Sequence, residues 1–299
     1  MIIDSHIHLW KREMIPNEAI RSYMAPLVKF QEEFGKLLDF GLTEEKAFAD
    51  FHIPVDDLLE ILDMNKIDKA VILATDFELL NDTQMGTREY LEILFQECSC
   101  DDRLLPFISV DPNRGEEGLR LIEEMVKKYA PKGIKMYPAT GFFPNEEKFD
   151  KYWNLIDDLG LVVTSHAGMA LPPLDEKYCR PIFLERVAEN HPELKIIVAH
   201  LGGKFYDDLL PLMERCDNIY TDCSALQGWL PSEPGQVYYK LNQVAEKFPE
   251  RIVFGSDFPL YEIRFSTMQF IKMIKEGSWA SSKVKDDLLG NNMAKVLEL

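Results

Sequence analysis

Positive charge is scarce in this chain: 33 lysines and arginines stand against 51 aspartates and glutamates, a net charge of −18 over 299 residues. No basic block offsets the excess, which argues against a nucleic-acid phosphate binder. The charge does not constrain a small substrate, because a metal and a few cations dominate the field inside one pocket. Cysteines are few and odd in number (Cys98, Cys100, Cys179, Cys216 and Cys223), without Cys-x-x-Cys spacing. Free thiols in a reducing cytoplasm are therefore expected rather than a disulfide framework. No apolar run approaches the roughly 20 residues needed to cross a bilayer, and no basic stretch precedes an apolar one at the N-terminus, so neither a membrane span nor a signal peptide is expected. Internal repeats and low-complexity tracts are missing. So is a Gly-x-Ser-x-Gly elbow, which removes the serine-hydrolase reading. Cys223, at a strand end, reads as a small buried residue rather than a nucleophile.

What is present is a large core, with 46% hydrophobic residues, in a chain whose length suits one (β/α)₈ barrel. Apolar runs alternate with helix-period segments, the pattern of a parallel β/α protein. Strands are expected near residues 2–8, 70–75, 105–110, 133–137, 161–166, 195–200, 218–223 and 252–257. Eight strands close a TIM barrel. Between them, Glu116 to Tyr129 places Leu119, Ile122, Met125 and Val126 on one helical face, and Glu147 to Leu159 repeats the pattern with Tyr152, Leu155 and Ile156. Residues 266–276 and 282–297 read as closing helices. The gap after the first strand is about twice a normal β/α repeat, so residues 10–55 are read as a helical insertion at the C-terminal rim. That insertion is either a hairpin packed on the barrel wall or a lid that shields substrate from water. Residues 1–299 are treated as a single domain.

Histidine is rare, yet four of the six fall at the ends of apolar runs. His6 and His8 form a His-x-His pair closing the first strand, where i and i+2 share a face. Strict alternation would turn Asp4, His6 and His8 into the barrel and Ile3, Ser5 and Ile7 towards the helices. His166 and His200 close the fifth and sixth strands, and Gly202-Gly203 after His200 lets backbone approach a ligand. Asp257 closes the eighth, where a charged side chain is costly unless paired or bound to a cation. Adding an imidazole and a carboxylate from other strand ends to the His-x-His pair completes a divalent-metal site. Around it, Trp10, Tyr137, Phe142 and Met169 are expected to contact substrate, with Thr140, Phe143 and Trp229 near the same rim. An aromatic rim suits a small planar or mostly apolar substrate. Lys11, Arg12 and Arg264 either clamp a carboxylate or are solvated charges.

The Asp4-x-His6-x-His8 pattern, the histidines ending strands five and six, and Gly255-Ser256-Asp257-Phe258-Pro259 resemble the metal-dependent amidohydrolase superfamily. Gly133-Ile134-Lys135-Met136-Tyr137-Pro138 and His191-Pro192-Glu193-Leu194-Lys195 resemble its amidohydrolase-related branch, which mixes hydrolases with nonoxidative decarboxylases of the aminocarboxymuconate semialdehyde type. The resemblance implies that His6, His8, His166 and Asp257 hold one catalytic metal, zinc by preference, with manganese or iron(II) as alternatives. It places His200 beside the metal as a proton-transferring or polarising group, and Asp257 as the second catalytic residue. Lys135 is either a carbamylated bridge in a two-metal site, where His200 is also a ligand, or a lysine paired with Asp4, Asp222 or a substrate carboxylate. Decarboxylases of this type show His-Pro-Trp and His-Gly-Gly where this chain has His166-Ala167-Gly168 and His200-Leu201-Gly202-Gly203. That departure favours hydrolysis of a small ester, lactone or amide by metal-activated water. Decarboxylation of a small unsaturated or aromatic acid is the alternative, and a non-catalytic metal-binding protein the second. A homo-oligomer is compatible with the sequence, but nothing in it identifies an interface.

Overall fold

A computed structural model describes residues 1–23, 52–80, 82–262 and 265–299. Its β-branched and aliphatic runs form β1 (Ile3–Ile7), β2 (Lys69–Leu73), β3 (Leu104–Ser109), β4 (Gly133–Met136), β5 (Val162–Ser165), β6 (Ile196–Val198), β7 (Ile219–Asp222) and β8 (Ile252–Val253). They pair in that order, and each neighbouring pair is parallel. The ring closes through backbone bonds from Ser5 N–H to the Phe254 carbonyl (2.8 Å), Asp257 N–H to His6 (2.8 Å) and His8 N–H to Phe258 (2.9 Å). Eight strands and this seam make the expected TIM barrel.

Side chains alternate across the sheet with period two. Val71, Leu73, Phe107, Val162, Ile197 and Val253 fill the inside, while Ile72, Ile108, Ile134, Val163, Ile196 and Ile252 belong to the outer core under the helices. The floor is closed by the last helix, Asn292–Leu297, whose Met293, Val296 and Leu297 join the inner cluster. Strict alternation fails in one place. Ile3 belongs to the inner cluster and Ile7 to the outer, because the β1–β2 register slips between Asp4 and Ile7. One extra residue in a strand flips the faces beyond it. Asp4 consequently turns to the β1–β8 seam, accepting from the backbone N–H of Ser256 (3.0 Å) and His6 (3.1 Å).

Eight helices of the described residues follow the strands: α1 (Val55–Asn65), α2 (Thr87–Cys98), α3 (Glu116–Tyr129), α4 (Asp150–Asp158), α5 (Glu185–Asn190), α6 (Tyr206–Arg215), α7 (Pro234–Lys247) and α8 (Thr267–Glu276). α3 spans the expected residues and buries Leu121, Ile122 and Met125. Residues Glu147–Phe149, expected to begin α4, form a 3₁₀ turn instead. Ser266 and Gln269 build a capping box that fixes the start of α8. Residues 282–297 are broken into two short helices by a π-helical turn at Asp287–Asn291. Of the expected insertion over residues 10–55, residues 17–23 are helical, and residues 24–51 lie outside the described residues. No helix among the described residues is long and apolar enough to cross a membrane.

Gly133 opens β4 where no side chain fits. A Cβ there would lie 2.2 Å from the Phe107 ring and 2.4 Å from the Val162 carbonyl oxygen. Gly133→Ala is expected to destabilise by about 3 kcal/mol, the upper end for overpacking a core. A melt followed by circular dichroism reads this as a lower midpoint; an unchanged midpoint would mean that both the Phe107 ring and the Val162 backbone give way freely.

Candidate metal centre

Buried histidines, a lysine and two aspartates from β1 and from β4 to β8 come to the same end of the barrel. These are His6 and His8 from β1, Lys135 from β4, His166 just past β5, His200 past β6, Asp222 from β7 and Asp257 past β8. His6 Nε2 and His8 Nε2 each lie 3.5 Å from Asp257 Oδ1. Their opposite nitrogens are engaged elsewhere: His6 Nδ1 is 2.8 Å from Asp222 Oδ2, and His8 Nδ1 is 2.8 Å from the Leu73 carbonyl oxygen. Those oxygens only accept, so each Nδ1 carries the hydrogen and each Nε2 turns a lone pair towards Asp257. Two lone pairs and a carboxylate converging at this distance call for a cation among them, and all three ligand atoms lie within 4.8 Å of one another. The residues fit a divalent metal. Burial, with the nearby Lys135 charge, holds the His6 imidazole well below its usual range. Burial also raises the Asp257 carboxyl, against the pull of His8 and Lys135.

His166, expected as the fourth ligand, lines the same cavity beside this group. Its Nε2 donates to the Met169 carbonyl (3.1 Å), and its Nδ1 lies 3.2 Å from His200 Nε2. The Tyr137 ring stacks on it at 4.4 Å and 26°. The structure thus gathers His6, His8 and Asp257 in one group and pairs His166 with His200 beside it. Burial pushes the His166 imidazole down to about 3 and lowers His200 too, so both rings are neutral. His200 Nδ1 is held by Ser224 Oγ at 2.7 Å. Lys135 Nζ stands 3.2 Å from His6 Nε2, and burial pushes its ammonium down to about 8 against the opposing Asp222 and Asp257 charges.

Both expected catalytic residues have left-handed backbones, His200 at φ 61° and Asp257 at φ 57°. Such conformations cost about 1–3 kcal/mol each and persist where the surroundings over-determine them. Here the His200 N–H donates to Asp222 Oδ1 (2.8 Å), and the Asp257 N–H is the seam bond to His6. The glycines after His200 serve a contact between loops as well as access to the cavity: a Cβ on Gly203 would lie 2.7 Å from the Gly168 Cα. From the sequence alone, Asp222 enters only as a partner for Lys135, and Ser224 does not enter. The signal that finds Asp222 is the one that marks Asp257, an aspartate closing an apolar strand.

Above the polar floor lies a cavity of about 480 Å³ with aromatic and aliphatic walls, including Trp10, Ile15, Ile20, Phe77, Tyr137, Leu174, Trp229, Leu260 and Tyr261. Of the expected substrate contacts, Trp10 stacks on His8 at 4.4 Å and 17°, Tyr137 covers His166, and Met169 lines the cavity exposed. Phe142 does not reach it. The Pro138–Thr140 turn carries Phe142 into the core, where its ring meets Phe149 at 5.7 Å. Phe143 packs against Tyr178 and Phe183. Lys11 pairs with Glu97 at 2.6 Å and Arg12 with Asn17, while Arg264 lies outside the described residues.

Several solved structures share this architecture. A 5-carboxyvanillate decarboxylase from Novosphingobium aromaticivorans, complexed with manganese, is 18% identical with a TM-score of 0.68, covering 100% of this chain and 96% of its own. A putative 2-pyrone-4,6-dicarboxylic acid hydrolase from Pseudomonas putida is 16% identical, with a TM-score of 0.64 and coverage of 99% and 97%. An amidohydrolase from Burkholderia multivorans with bound zinc is 16% identical, with a TM-score of 0.64 and coverage of 100% and 99%. At such identities the likeness is one of fold. No curated protein matches the sequence. The sequence model of one family, described as amidohydrolase, matches residues 3–299. With nearly every residue of the barrel inside that match, the chain belongs to the amidohydrolase family.

Proposed function

We propose that this enzyme hydrolyses a small, largely apolar ester, lactone or amide, using one divalent metal held by His6, His8 and Asp257. The observation that carries the reading is the pair of Nε2 lone pairs facing one carboxylate at the floor of an apolar cavity. A metal bound there supplies Lewis acidity, drawing the pKa of a water down towards about 7 and polarising a carbonyl. The remaining work falls to the chain. Asp257 takes the proton of the attacking water at a carboxylate oxygen and returns it to the leaving group. The Met169 carbonyl holds the His166 Nε2 hydrogen, so His166 Nδ1 and His200 Nε2 face one another with at most one hydrogen between them. His200 is the group placed to polarise a developing oxyanion once substrate takes the place of that contact. Trp10 and Tyr137 brace the imidazoles of His8 and His166 and help exclude water. Five free cysteines, four of them buried, suit a cytoplasmic enzyme.

Decarboxylation is the second reading, favoured by one observation. Lys135 is a buried cation beside His6, a counter-charge for a substrate carboxylate, and Asp257 or His200 would then protonate carbon after CO₂ leaves. A non-catalytic metal protein would need a closed ligand shell, and a group of three leaves a position open. Elemental analysis of protein purified without chelator, combined with a substrate panel, tests all three. About one metal per chain, with ester or lactone turnover that chelator abolishes and zinc or manganese restores, is the expected result. About two ions per chain would bring in His166, His200 and a carbamylated Lys135. Release of CO₂ from aromatic acids without any hydrolysis would overturn the hydrolase reading.

A further inference from the structure

We infer that Asp222 is a positioning residue that fixes the tautomer of His6, so that the direction of this imidazole's lone pair depends on one carboxylate past the metal site. The inference rests on the proposed metal site, but the arrangement that carries it is independent of any ion. Asp222 is fully buried, and its two oxygens face different partners. Oδ1 accepts from the backbone N–H of His200 (2.8 Å) and of Ser224 (3.0 Å), and the Ser224 hydroxyl lies against it as well. Oδ2 accepts from His6 Nδ1 (2.8 Å). Both backbone donors are fixed in direction, because peptide N–H groups cannot exchange roles. The imidazole can, since either nitrogen carries its hydrogen.

An isosteric amide exposes that asymmetry. The side chain of an Asp222→Asn variant would have one oxygen and one NH₂ to distribute between the two sides. Two backbone donors converge on the Oδ1 side, and placing NH₂ there would leave both unpaired in a buried site. The oxygen therefore takes that side and the NH₂ faces His6 Nδ1. His6 then accepts at Nδ1 from that NH₂, gives up its longer contact to Ser224 Oγ (3.2 Å), and carries its hydrogen on Nε2, the atom that faces Asp257 and Lys135. The lone pair needed by a metal would be lost without moving a heavy atom. Partners of this kind to metal-binding histidines typically change affinity about 10- to 100-fold.

The test compares wild type, Asp222→Asn and Ser224→Ala by two measurements. Imidazole nitrogen shifts from ¹⁵N NMR on metal-free protein report the tautomer, and zinc affinity is read by competition with a chromogenic chelator. Thermal melts confirm that each variant is folded. In wild type His6 is expected as the Nδ1–H form; in Asp222→Asn it changes to Nε2–H and zinc binding weakens about 10- to 100-fold. Ser224→Ala keeps the carboxylate, and with it the wild-type His6 tautomer. An Asp222→Asn protein with the wild-type tautomer overturns the inference whether or not its zinc affinity falls, since a fall alone would assign Asp222 a role through charge. A tautomer change in a protein whose wild type binds no zinc would uphold the role of Asp222 and overturn the metal reading instead.

Discussion

The His6→Ala/His8→Ala double variant is expected to leave purification without stoichiometric metal and without measurable turnover, yet with a folded barrel. The two imidazoles supply two of the three ligand atoms that converge at the floor, and Asp257 alone cannot hold a divalent ion against water. The fold survives because the packing of β1 rests elsewhere. Ile3 sits in the inner cluster and Ile7 in the outer, and the seam to the eighth strand is made of backbone groups that alanine retains. Removing the rings does strand their partners: Asp222 Oδ2 loses the His6 donor, and the Leu73 carbonyl loses the His8 donor. Each loss costs about 1–3 kcal/mol unless water enters, so the melting midpoint should drop without the cooperative transition disappearing. Elemental analysis beside a circular-dichroism melt separates the two effects. A folded double variant that still carries about one metal per chain would refute the assignment of both histidines as ligands.

What made this site readable was its position rather than its residues' chemistry. Imidazoles and carboxylates at the ends of apolar strands must meet when eight strands close into a barrel, so His6, His8, His200 and Asp257 could be placed on one rim from the sequence. The grouping within the rim was not readable. Whether His166 turns to His8 or to His200 depends on the Met169 carbonyl and on the Tyr137 ring, both set by loop conformation. The same holds for Phe142, which counts as a rim residue by spacing and is drawn into the core by the turn before it. Alternation misplaced Ile3 and Asp4 because the slip in β1 is a property of its pairing with β2 and leaves no mark in the pattern itself. Asp222 was legible by the reasoning applied to Asp257. Its task, however, is visible only once His6 Nδ1, His200 N–H and Ser224 N–H are seen to share its two oxygens.

Replacing Asp257 by asparagine should reduce kcat by about 10²–10⁴, the usual worth of a positioned acid or base. The substitution is well matched to its site. Asparagine tolerates the left-handed backbone that Asp257 adopts at φ 57°, and the Asp257 N–H bond to His6 is untouched by a side-chain change. What is lost is the anionic oxygen that faces both Nε2 atoms at 3.5 Å and is the proposed proton acceptor. Metal content and kcat measured on the same preparation distinguish these two duties. If kcat falls while about one metal per chain remains, the proton-transfer role stands and the two histidines suffice for binding. If both fall together and excess zinc restores turnover, Asp257 serves as a ligand only. Undiminished kcat with metal in place would remove Asp257 from the chemistry and leave His200, the other expected catalytic residue, as the remaining candidate for moving the proton.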